Sequence, residues 1–248
     1  MNLEIVKESY KQLSEAMSFK SFGSFKYPAI GWYFSAEELD NSFVFEKDKW
    51  VCMFMYLKLV INKGKRIRFS GDYGSACSGP AELFGFQELS GSDGKFIAET
   101  ERFKKTRELA RDHYEVSLAS IRPPKEKYLY MEKLENMDGD KEIEVVNLFP
   151  DVTALACLGG LSHYDRGKDM PNVLTPCASG CQSAFTIPYN EKFQTKPKSV
   201  IGVMEPLVRK IIPEDMVSFS VPSNRFVEMA NNIKGSFLEK DFISPLLN

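Results

Sequence analysis

Strand-like and helix-like segments alternate along the whole chain, and that interleaving restricts it to an α/β or α+β architecture. Residues 2–18 mix charged and apolar residues at helical spacing, and YPAIGWYF (Tyr27–Phe34) then reads as a strand ended by the SAEEL turn. Between Glu46 and Ile61 the helical spacing returns, with Trp50, Met53, Phe54, Leu57 and Ile61 on one face. RIRFSG is a short strand, and Ser78-Gly79-Pro80 is a helix-start signal, a small cap followed by proline at the first helical position. Residues 99–120 read as a charged helix. Past the Pro123–Pro124 pair, KYLYMEKL and EIEVVNLF are strands, and Asp151 caps a buried helix that Gly159-Gly160 weakens. SVIGVME, EPLVRKII, MVSFSVP and NRFVEMANNI then read as strand, short helix, strand and closing helix. Mixed sheets covered by helices are the expected result.

With 248 residues the chain is expected to form a single compact domain spanning 1–248. The proline pair divides it into halves 1–122 and 123–248 that look alike in outline. Each runs strand, apolar helix, then a small-residue segment with cysteine: SACSGPAELFG in the first, PCASGCQSAF in the second. Read as a pseudo-repeat, the two segments would face each other across the interface. A net charge of −2 gives no footprint for nucleic acid. The KGKRIR cluster reads as a solvated turn entering a strand. The N-terminal stretch lacks the apolar core of a signal peptide. The longest apolar run, WVCMFMYLKLVI, is broken by Lys58 and too short for a bilayer, so no membrane partner is expected. The expectation is a cytoplasmic protein whose cysteines are mostly reduced, and their odd number, five, argues against a closed disulfide framework.

The cysteines carry the chemical interest. Cys77 and Cys181 stand near helix starts, where unpaired N–H groups and the positive dipole end favour a thiolate or an anion. Their Ser, Gly and Ala neighbours let a ligand approach the backbone. Cys177 and Cys181 are separated by three residues, whereas structural zinc and most cluster motifs prefer two. Tight packing of small residues is the competing reading, and core packing is the expectation for Cys52 and Cys157. His113 is expected to be solvated on the charged helix, and His163 to end a helix beside Asp165 and Arg166. Arg209 reads as a surface ion pair. The chain contains no HExxH, GxSxG or Walker motif, and no GxGxxG follows a strand.

In the order and spacing of several blocks the chain resembles the domain of unknown function 169 family of bacterial and archaeal proteins. The blocks are YPAIGWYF, the segment carrying Cys52, SGDYGSACSGPAELFGF, FPDVTALACLGGLSHYDRG, NVLTPCASGCQSA, IGVMEPLVRK and FSVPSNRFVEMANNIKGSFL. The resemblance implies a soluble, cysteine-bearing α/β protein of prokaryotic type. It adds weight to Cys52, Cys77 and Cys181, which fall on cysteine-containing blocks. Cys177 matches less closely, and Cys157 is a feature of this chain.

Two expectations follow. In the first, the protein binds a metal or cofactor: Cys77 and Cys181, with Cys52 or Cys177, ligate an iron–sulfur cluster or another soft metal through thiolates. In the second, an enzyme or binding module holds a small anionic ligand on backbone N–H groups around Ser78, Gly79, Ser179, Gly180 and Gln182, with the cysteines contributing only small size.

Overall fold

The computed structural model describes residues 1–19, 21–44, 52–71, 82–86, 94–119, 126–168, 171–176, 178–206 and 208–239. In chain order the elements are α1 (Leu3–Phe19), β1 (Phe25–Ser35), β2 (Ser42–Val44), α2 (Met53–Lys63), β3 (Arg66–Ser70), α3 (Arg107–Ala119), β4 (Tyr128–Lys133) and β5 (Ile143–Pro150). They continue with α4 (Val152–Tyr164), β6 (Val173–Leu174), α5 (Ile187–Glu191), β7 (Ser199–Gly202), β8 (Ser218–Pro222) and α6 (Ser223–Asn231). Wide π-type turns occupy Phe96–Thr100 and Gln182–Thr186, the second running directly into α5.

The described strands form one mixed sheet in the order β2-β3-β4-β1-β5-β8-β7-β6. β2–β3 and β6–β7 are parallel, and every other pairing is antiparallel. β1 lies at the centre, and Ala29 to Tyr33 are buried on both faces. Pro28, which has no N–H to give a ladder, falls in the irregular stretch between Tyr27 and Ile30 and outside the β4 pairing. Side chains alternate across the sheet with the two-residue period of a strand. Ile30 and Trp32 join α2, Phe84, Phe185 and Tyr189 in one core, whereas Ala29 and Tyr33 join α1, α4 and α6 in the other. The protein is thus a mixed α/β sandwich with helices on both faces.

About the β1–β5 seam the sheet is symmetric. Reading outward, β1-β4-β3-β2 and β5-β8-β7-β6 have the same order and the same sequence of antiparallel and parallel pairings. This correspondence sets α2, which links β2 to β3, against the 180–191 helical segment, which links β6 to β7. The helices of the opposite face do not follow it, since α4 links β5 to β6 while residues 36–41 between β1 and β2 form no helix. Nor do the two similar sequence segments: SACSGPAELFG follows β3, whereas PCASGCQSAF precedes β7. The division of the sheet falls between β4 and β5, later in the chain than the proline pair.

Local signals explain most boundaries. Asp151 caps α4 as expected, its carboxylate accepting from Ala154 N–H at 2.7 Å and, with the other oxygen, from Ser24 N–H at 2.7 Å. α4 runs through Gly159 and Gly160 to Tyr164 rather than weakening there, because Gly160 gives the Phe237 ring close access. The charged helix begins at Arg107 instead of residue 99. Thr106 supplies the cap, its hydroxyl accepting from Leu109 N–H at 3.3 Å, and the chain before it forms the π-type turn. Gly64, in the left-handed conformation at φ 59°, ends α2 and turns the chain into β3. The two arginines of the basic cluster there are paired: Arg66 bonds the buried Glu132 through Nε at 3.0 Å and Nη2 at 3.1 Å, and Arg68 meets Glu38, while Lys63 and Lys65 are exposed. Among the described residues no helix is long and apolar enough to cross a membrane.

Candidate functional site

The starts of two helices meet on one face of the sheet, and each carries a cysteine. Cys52 is the residue that precedes α2, in extended conformation, and is half-buried. It is therefore not in the body of the helix, and residues 45–51 lie outside the described set. Cys181 is the second residue of the 180–191 segment and is buried. Gly180 fits against the Phe54 ring so closely that a Cβ would overlap it, which is what brings the two helix starts together.

The head of the 180–191 segment is tied by its own side chains. Gln182 folds back so that Oε1 accepts from Ser179 N–H at 2.8 Å and Ser179 Oγ–H at 2.9 Å, half of a capping box. Ser179 Oγ also lies 3.2 Å from Cys181 Sγ. The same Gln182 oxygen is 3.2 Å from His113 Nε2. An amide oxygen only accepts, so His113 carries its proton on Nε2. Burial is the main force that lowers the His113 pKa; Lys104 lowers it further and Gln182 opposes both. His113 is thus half-buried against the cysteine segment rather than solvated. Gln182 itself is 2% exposed, and its Nε2 has no hydrogen-bond partner. A sealed, unpaired amide donor costs about 1–3 kcal/mol.

A carboxylate closes the other side. Glu205 Oε2 accepts from Gly180 N–H at 3.0 Å, at the positive end of the helical segment. It is brought there by a turn after β7 in which Val203, fully buried, adopts φ 64°, a conformation unfavourable for a β-branched residue. Val203 N–H donates to Ser183 Oγ at 3.2 Å, tying the turn to the helix it faces. Arg209 holds the rest of the connection by donating to main-chain carbonyls of Val203, Pro213, Glu214 and Met216, which is its role instead of a surface ion pair. Burial pushes the Glu205 carboxyl up to about 7, Gly180 N–H opposes the rise and Glu101 adds to it. Burial likewise raises Cys52; the Phe54 and Met55 N–H groups oppose this, and Glu205 and Glu101 reinforce it. Glu101, raised by burial alone, completes the group.

Beneath these side chains a cavity of about 10 Å³, lined by residues that include Trp32, Phe54, Asn147, Ala184 and Val203, has room for about one water. It is too small for an organic ligand.

The structure thus gathers Ser179, Gly180, Cys181 and Gln182 at one helix start and sets Cys52 at the other, which meets it through Phe54. Cys77, Ser78, Gly79 and Cys177 lie outside the described residues. Cys157 packs in the opposite core, where burial pushes its thiol up to about 12. His163 ends α4 and accepts from Asn172 Nδ2 at 2.9 Å, while its neighbour Asp165 is bound by Arg225 at 2.7 Å through both oxygens. Among the described residues no group of three or more His, Cys, Asp or Glu side chains is placed to hold a metal ion. The sequence reading passed over Glu205 and Glu101 and left His113 on a solvated helix face. Glu205 had a faint signal, a lone acid in the apolar run GVMEPL.

These features define a mixed α/β protein in which cysteines and carboxyls gather where two helix starts meet. The chain belongs to the domain of unknown function 169 family, described as uncharacterised ArCR, whose model matches residues 19–232. No curated protein and no solved structure matches it.

Proposed function

We propose that the protein binds a soft metal ion or an iron–sulfur cluster through cysteine thiolates at the junction of α2 and the 180–191 segment. The observation that carries this reading is the meeting of two cysteine-led helix starts beside the buried carboxyl of Glu205 and the half-buried one of Glu101. Burial and mutual repulsion keep protons on Cys52 and Glu205 that a bound metal would displace. Cys52 and Cys181 are the ligands within the described residues. Since no third one converges with them there, Cys77 or Cys177 must complete the set. The N–H groups of Ser179 and Gly180 are already engaged by Gln182 and Glu205, so an anion held on that backbone would first have to displace both.

The test is elemental analysis and the visible spectrum of protein purified without oxygen, alongside Cys52→Ser, Cys77→Ser and Cys181→Ser. A stoichiometric metal in the wild type and its loss in each folded variant is the expected outcome. Metal affinity should also weaken as the pH falls, because the thiols and carboxyls then keep their protons. A metal-free wild type that takes up neither Zn²⁺ nor Fe²⁺ overturns the reading.

A further inference from the structure

The surplus donor on Gln182 points to a second ligand. The amide cannot be turned over, because Ser179 N–H has no acceptor to offer and must face the oxygen. Ser179 Oγ and His113 Nε2 converge on that same oxygen. The NH₂ group is therefore fixed beside the first turn of a helical segment that runs from 180 to 191, sealed from solvent and unpaired. A glutamate at this position would make the same cap, with a charge that suits the helix dipole. Glutamine keeps the acceptor and adds an NH₂ group, for which the described residues provide no acceptor.

We propose that Gln182 Nε2 donates to an oxygen of a small carboxylate bound at the start of the 180–191 segment. The electrostatics on this side favour an anion. Lys104 is near enough to act on the imidazole of His113, whose Nε2–H already serves the Gln182 oxygen. Glu205 occupies the Gly180 N–H on the other side of the helix start, and with Glu101 it is grouped with Cys52. Burial restricts the ligand to a small molecule, since a donor that is 2% exposed cannot be reached by a side chain on a partner surface. The assignment does not depend on metal binding.

The experiment is a titration of ¹⁵N-labelled, chelator-treated protein with sodium acetate and sodium formate, against sodium chloride at equal ionic strength. The side-chain amide resonances are followed. One glutamine NH₂ pair, identified by its absence from Gln182→Glu, should move saturably with either carboxylate and not with chloride. Gln182→Glu retains the capping oxygen and should fold, yet show no saturable carboxylate response. The assignment is overturned if no glutamine pair responds, if chloride gives the same shift, or if the variant still responds. A response present in untreated protein but lost on chelation would place the carboxylate on a metal and overturn it equally.

Discussion

Glu205 shows how a single ionisation can report on the site. Its folded-state pKa of about 7 lies above the 4.5 of an unperturbed glutamate, so the folded chain holds this proton more tightly than the unfolded one. The associated stability is fully present below 4.5 and is lost as the pH rises through about 7. By linkage the loss is at most about 3 kcal/mol. In metal-free protein, Glu205→Gln should flatten the fall of the denaturation midpoint across that interval, and an unchanged profile would show that Glu205 is not its source. Little of this was legible in the sequence. GVMEPL marks Glu205 as an acid among apolar residues, but what seats it on Gly180 is the left-handed Val203 and the Arg209 clamp. His113 was hidden in the same way: its helix reads as charged throughout, and only packing turns the imidazole onto Gln182.

Among the elements, the 180–191 segment is tied to β5 through Asn147. That buried side chain accepts from Trp32 Nε1 and donates to Ala184 O at 2.7 Å and Ser220 Oγ at 2.9 Å. It thus ties β1, β8 and the π-type turn to one point. Asn147→Ala would leave the indole N–H and the Ala184 carbonyl unpaired and enlarge the cavity beside them. A loss of about 3 kcal/mol is expected, read as a fall in Tm of about 10 °C. A fall of only a degree or two would mean that water replaces the amide. Elements with strong local signals were readable in advance: the central strands from their apolar runs, α4 from Asp151, and the turn after α2 from Gly64. Those set by wider contacts were not. The 180–191 segment contains a proline and a π-type turn, and its start is defined by Gln182 folding onto Ser179 rather than by periodicity.

For the whole molecule, the seam between β1 and β5 decides whether the parts can stand alone. Sheet order predicts that a fragment ending at residue 140 keeps β2, β3, β4 and β1 but exposes β1 as an edge. Ala29 to Tyr33 are buried on both faces of that strand, which makes it a poor edge and a strong template for association. The fragment should be aggregated or unfolded by size-exclusion chromatography and circular dichroism, whereas a monomeric, cooperatively melting fragment would show the first four strands to be autonomous. The same order has a consequence for synthesis. β1 ends at Ser35, but its two neighbours are β4 at Tyr128–Lys133 and β5 at Ile143–Pro150. At about 5–20 residues per second, the ribosome takes roughly 6–25 s to complete β5 once β1 has been made. Until β4 is made, most of that interval, a strand bearing Phe25, Tyr27, Trp32, Tyr33 and Phe34 waits without either partner, a stretch of nascent chain suited to capture by a chaperone.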